Sequence, residues 1–290
     1  MSFSLPSLPH SLGPAVAPVP FVAAGSIVRR IWGSADMVLL VFAGAAAEFA
    51  LNKAVDWLYF TGRLPADPLG RLFSTVDYAR RIVFADRAGA ERTIDAIAAI
   101  HGAVEARRGR PIPAWAYRDV LFMLIAYSIK AFEVLERPLT EAEREEITTV
   151  FCHVGHRMGI PDLPTSYPAW RLAREQHLAQ NLAASAHTAD LHHQYRQHLG
   201  GPRYRLLRLA QAVLVPAPVR GLLGLPADAW LRPAFSLYRR TKHISLIQWL
   251  KTTLLPADYQ ARIRALDTEP APAPTAPPPP HRCPVHAPGR

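Results

Sequence analysis

Three residues in the first half of the chain have the types and spacing for chemistry: Arg71, Thr75 and, beyond a loop, His101. Asp67-Pro68 reads as a helix cap followed by a first-turn proline, so Arg71 and Thr75, at i and i+4, share one face of the helix they begin. The next helix runs from about Ala90 to Arg108 and is closed by Gly109. Its apolar residues Ile94, Ile97, Ala98 and Val104 form a stripe at about 100° per residue, with His101 in the middle of it. The imidazole therefore points inward. A lone inward histidine is more commonly a core residue hydrogen-bonded to a carbonyl or water than a metal ligand, and spacing leaves both readings open. Arg71 likewise has a plain alternative, a surface ion pair with Asp67 four residues earlier.

The order of several short motifs adds to this. Arg71, Thr75 and the pair Ile100-His101 resemble the signature of the haem-dependent oxygenases that include latex-clearing protein and the mycophenolate-pathway oxygenase MpaB. A-G-A-A-A-E-F-A-L-N-K-A-V before it is similar to the same family, as are R-M-G-I-P-D-L-P-T-S-Y, Y-R-Q-H-L-G-G-P-R and V-P-A-P-V-R-G-L-L-G-L after it. Together they run from about Ser34 to Leu266.

The resemblance implies one non-covalent b-type haem and O2. His101 would be the proximal iron ligand, its second ring nitrogen held by an acceptor behind it. Gly102 beside it would leave room for the macrocycle. Arg71 would pair a propionate or a bound oxygen species, and the Thr75 hydroxyl would hydrogen-bond there. The implied reaction is oxidative cleavage or oxygenation of an isoprenoid or similar unsaturated lipid, so the partner is a hydrophobic or polyprenyl-type small molecule. Relatives in the latex-clearing branch use an acidic residue upstream of the signature as a base, for which Glu48 and Asp56 are the nearest helical candidates. The chain departs from that branch at Ser74, where the relatives carry a lysine able to reach the iron.

These residues need a helical frame, and the sequence supplies one. Met37 to Ala47 is an unbroken apolar run, shorter than the roughly eighteen residues a membrane span needs, and reads as a core helix. Gly44 in it would let a neighbour or a flat cofactor approach. A long apolar helix opens near Pro113, and Thr140 with Glu143 makes a capping box for the helix that Gly159 and Pro161 end. Pro168 to Leu182, Ala189 to Leu199, Arg203 to Leu214, Ala227 to Leu254 with a kink at Pro233, and Ala257 to Leu266 complete an all-α, single multi-helix domain. Strand patterns are absent. Residues 1–23 read as a flexible Pro-rich leader, 24–267 as the helical haem domain and 268–290 as a disordered Pro-rich tail.

Composition narrows the remaining classes. The chain has 290 residues, 50% hydrophobic and 19% charged, enough for a sizeable core. The formal charge of +10 suits an acidic ligand or an anionic membrane surface. No basic run is interleaved with aromatics, so nucleic acid is not expected as a partner. The two cysteines, Cys152 and Cys283, form neither a disulfide framework nor a C-x-x-C site, which fits the cytoplasm, with peripheral membrane contact as an added feature. Arg29-Arg30 before an apolar segment faintly resembles a twin-arginine export signal, but Asp36 interrupts the segment and the pair lies far from the start, so export is the lesser reading. His153 and His156 share a helix face without a companion carboxylate and read as surface or rim residues. His177, His187, His192, His193 and His198 read as solvated. Cys283-Pro284 in the tail is similar to regulatory haem-binding Cys-Pro motifs. Two rival functions follow: a haem-binding sensor or carrier without turnover, and a haem-free helical protein of the membrane surface.

Overall fold

The computed structural model describes residues 18–60, 67–227, 231–241 and 257–268. The Cys-Pro tail, the rest of the leader and the second half of the expected 227–254 helix lie outside the described residues. Thirteen helices and a closing 3-10 turn form, and no strand occurs among the described residues. In chain order they are α1 (Ile27–Trp32), α2 (Ala35–Phe49), α3 (Asp56–Phe60), α4 (Pro68–Phe84), α5 (Arg87–Arg108), α6 (Ala114–Leu135) and α7 (Glu141–Arg157). Then come α8 (Tyr167–Gln180), α9 (Ala186–Leu199), α10 (Gly201–Leu214), α11 (Ala217–Leu222), α12 (Arg232–Thr241) and α13 (Ala257–Arg264), with the 3-10 turn at Ala265–Asp267.

Side-chain caps set most of the helix starts. Ser26, Ser34, Asp67, Asp86, Ser166 and Ser185 each accept a hydrogen bond from a first-turn backbone N–H. Thr140 and Glu143 form the expected reciprocal box at α7. Gly109 ends α5 at φ +71°, a left-handed conformation that a Cβ would oppose, and its N–H returns to the Glu105 and Ala106 carbonyls.

The centre of the molecule is the pairing of α2 with α6, the two most apolar long helices, with α7, α8 and α10 packed around them. Phe122, Ile125, Phe132 and Leu135 of α6 are essentially sealed from solvent, as are Trp32, Val41 and Leu51. Each such side chain contributes about 1.5–3 kcal/mol by leaving water. Beside this core, α4 and α5 form a pair of their own that carries the signature residues.

Three expectations are corrected. Residues 18–23 are fastened rather than flexible: Phe21 N–H donates to the Ala85 carbonyl, Arg87 N–H to Val19, and Val22 is buried. The last helical stretch does not begin at Ala227, and Pro233 falls in the first turn of α12, where its missing N–H costs nothing, instead of kinking a longer helix. Thr268 is docked with the turn before it: the buried Arg80 guanidinium donates to the carbonyls of Trp32, Leu266 and Thr268, and Asp267 accepts from the Ala35 N–H at the start of α2. Sequence periodicity alone could not reveal these long-range polar clamps.

Gly44 shows why α2 and α6 approach so closely. A Cβ at this position would run into the ring of Tyr127, which is itself fully buried and held by its hydroxyl. We expect Gly44→Ala to destabilise the protein by about 1–3 kcal/mol through overpacking, read as a shifted urea midpoint. An unchanged midpoint would mean that the helices are not so close.

Candidate functional site

The signature helix α4 is started by Asp67, whose carboxylate accepts from the Gly70 N–H at 2.8 Å. One turn on, the Arg71 carbonyl accepts from two hydroxyls, Ser74 Oγ at 2.7 Å and Thr75 Oγ1 at 3.2 Å. Both protons are thus spent within the helix, leaving the hydroxyl lone pairs as the groups that could meet a ligand. Across from α4, His101 sits about two turns before the end of α5, half-buried, with its ring edge against Tyr117 at 5.2 Å between centroids. Tyr117 donates to Glu105 Oε1 at 3.0 Å, and Glu105 also accepts from the Ile112 N–H, which fixes the loop between α5 and α6 behind the histidine.

His101 Nδ1 is buried and has no hydrogen-bond partner. Burial pushes the imidazole pKa down, and the nearby positive charge of Arg71 lowers it further, against a smaller opposing pull from Glu105. Arg71 and His101 therefore share one electrostatic environment, although they stand on different helices. The ring is held neutral, the form that keeps a lone pair for a metal ion. Gly102 is exposed, and a Cβ there would meet open space. The acceptor expected behind the second ring nitrogen is not present for Nδ1.

The two acidic candidates lie in other company. Asp56 is paired with Arg108 at 2.5 Å and Arg110 at 3.4 Å, and Arg108 also covers the Trp57 ring at 4.0 Å. Glu48 is completely buried. Its carboxylate takes both arms of Arg174, the Tyr127 hydroxyl at 2.7 Å and His177 Nε2 at 2.7 Å. Burial alone would raise its pKa, but Arg174 and His177 together outweigh it and hold it at about 2. The carboxylate expected as a candidate base is thus sealed from solvent and engaged by three side chains of the protein.

The network continues. His177 Nδ1 lies 2.8 Å from Asp119 Oδ1, out of line for a good hydrogen bond, while Asp119 Oδ2 accepts from Asn52 at 3.1 Å and Asn181 at 2.9 Å. Burial would lower the His177 pKa, yet Asp119 and Glu48 outweigh it and raise it, so the ring tends to its charged form. The expectation of a solvated His177 is thereby overturned, because its helix turns it inward with Trp170 and Arg174. His192 is also largely enclosed, and burial lowers its pKa to about 4. His193 and His198 are exposed, as are His153 and His156, while His187 is half-buried against the Tyr59 ring at 4.2 Å. Arg174, His177 and Asp119 were not singled out from sequence. The signal for the first two was their i, i+4, i+7 spacing from Trp170 on an otherwise polar helix.

Neutralising Glu48 leaves Arg174 buried without a counter-ion. Glu48→Gln should cost about 3–5 kcal/mol at pH 7, read by chemical denaturation. Because the folded Glu48 pKa lies near 2 and the usual value is 4.5, its contribution is full above about pH 4.5 and fades as pH falls toward 2. The stability gap between wild type and Glu48→Gln should therefore narrow over that range. A constant gap would mean that Glu48 acts by packing alone.

Comparison with known proteins closes the question of family. The model of the family described as ER-bound oxygenase mpaB/B'/rubber oxygenase, catalytic domain, matches residues 26–244, beginning at the cap of α1 and spanning α2 through α12. No curated protein and no solved structure matches the chain. The match covers most of the sequence and takes in the α4–α5 signature pair, so the chain belongs to the mpaB/rubber oxygenase catalytic-domain family, an oxidoreductase family of oxygenases.

Proposed function

We propose that this protein is a haem b-dependent oxygenase acting on an isoprenoid or similarly unsaturated lipid chain. The observation that carries the proposal is His101: a half-buried imidazole, held neutral, whose buried Nδ1 has no partner among the described residues and which feels the charge of Arg71. An orphaned buried nitrogen is costly unless something occupies it, and an axial iron bond to the ring would account for its chemistry. Arg71 supplies the cation that an anionic propionate needs, Thr75 offers a hydroxyl oxygen, and the open space at Gly102 admits a flat group. The residues present thus fit the cofactor.

When bound, haem would supply the oxygen chemistry. The chain's own part is to hold the ring through His101, to compensate anionic charge with Arg71, and to present a low-polarity surface to a greasy substrate. Glu48 and Asp56 are both committed to arginines, so neither is assigned as a base. No helix among the described residues is long and apolar enough to cross a membrane. We place the protein in the cytoplasm, meeting its hydrophobic substrates at a membrane surface.

A Soret band in the purified protein is the first test, and oxygen uptake on adding a prenyl lipid is the second. A band without uptake would favour a carrier, and no band would sink the haem reading. His101→Ala should abolish haem retention or leave an exchangeable pigment, whereas wild-type haem content and spectrum in that variant would remove His101 from the role. Ser74 directs its hydroxyl to the Arg71 carbonyl, so no protein nitrogen is supplied at that position and the ferric spectrum should be mainly high-spin. Ser74→Lys should shift it toward low spin; an as-isolated wild type already six-coordinate through a protein nitrogen would contradict this account.

A further inference from the structure

A groove of about 420 Å³ opens between α6, α8, the end of α10 and α11. That size lies within the roughly 300–1,000 Å³ of small-molecule sites. Lys130, Arg174 and Arg220 line it together with Tyr127, Tyr167 and Trp170, and no Asp or Glu does among the described residues. The remaining wall is apolar, made by Leu178 and the segment 213–217.

The cations are not equivalent. Arg174 is neutralised from behind by Glu48, and Arg220 reaches the Val215 carbonyl. Among the described residues Lys130 makes no ion pair or hydrogen bond, and the Tyr167 hydroxyl has no hydrogen-bond partner. Nearby Glu133 and Glu141 are both held by Arg144, at 2.7 and 2.5 Å. The groove therefore joins an uncompensated ammonium and a free hydroxyl donor to an aliphatic wall. It is separate from the histidine site. Tyr117, which touches His101, and Tyr127, which lines the groove, stand ten residues apart on α6, roughly 15 Å along its axis.

We propose that this groove is a second ligand site, for an amphipathic anion: a carboxylate or phosphate head at Lys130 and Tyr167, with an aliphatic chain along Leu178 and the 213–217 wall. A charge-assisted hydrogen bond to the head and burial of the chain are both needed, since either alone is weak against water. This site goes beyond the haem assignment and stands without it.

The test is isothermal titration of the full-length protein with decanoate, decyl phosphate and, as the uncharged control, decanol. The expected result is one site for at least one of the two anions, with decanol at least about tenfold weaker. Tighter decanoate would identify a fatty-acid type of ligand, and tighter decyl phosphate a phospholipid type. Lys130→Glu should weaken the anion at least about tenfold. Ala217→Trp, at an exposed position on the groove wall, should block it, and serves as the second variant if the first fails to fold by circular dichroism. His101→Ala should leave binding unchanged. Absence of binding, equal binding of decanol, or full affinity in a folded Lys130→Glu together with Ala217→Trp would overturn the proposal. So would binding lost in His101→Ala but kept in Lys130→Glu, which would place the amphiphile at the histidine site instead.

Discussion

A carboxylate with no solvent exposure must have its charge answered, and at Glu48 the answer comes from Arg174, His177 and Tyr127 at once. That requirement fixes three helices against one another. Gly44 and Glu48 on one side of α2, and Asn52 in the turn that follows it, succeed each other four residues apart, and each meets a partner on α6: the Tyr127 ring lies on Gly44, its hydroxyl on Glu48, and Asp119 on Asn52. The pairing 44 with 127 and 52 with 119 is an antiparallel register, set by a glycine that admits the ring and a carboxylate that holds it. Arg174, His177 and Asn181 bring α8 to the same seam from the opposite side. Sliding any of these helices by one turn would strand a buried charge, at a cost of several kcal/mol.

The helices themselves were legible in the sequence because their causes are local. The Thr140–Glu143 box, the Asp67-Pro68 start and the left-handed Gly109 stop each depend on residues a few positions apart. The buried network was not legible for the opposite reason: its partners lie 58 (Asp119 to His177) to 129 (Glu48 to His177) residues apart, and no periodicity within one helix announces which distant carboxylate a guanidinium will find. Glu48 illustrates the confusion this produces. An acid interrupting an apolar helix reads equally well as a catalytic base or as a core ion, and only its neighbours decide. The family, by contrast, was readable from motif order, which survives when each fragment alone is weak.

The signature pair α4–α5 is built differently from the α2–α6–α8 seam. Its groups are half-buried, the Ser74 and Thr75 hydroxyls turn back on their own helix, and its histidine is left with an unmatched nitrogen. A seam whose every charge is answered gives rigidity; a cleft wall with an unmatched donor or acceptor keeps capacity for a ligand.

The two inward histidines make the contrast sharpest. His101 and His177 are the same side chain on helices of one domain, and burial pushes both toward neutrality. Their neighbours then separate them: Arg71 adds to the effect of burial at His101, while Asp119 and Glu48 reverse it at His177. At His177 the two carboxylates favour the charged ring, the form that closes the seam as a cation. A neutral imidazole beside an arginine keeps the lone pair of one ring nitrogen. Burial and helix position are therefore shared by the two histidines, and the sign of the nearest charge is what separates them.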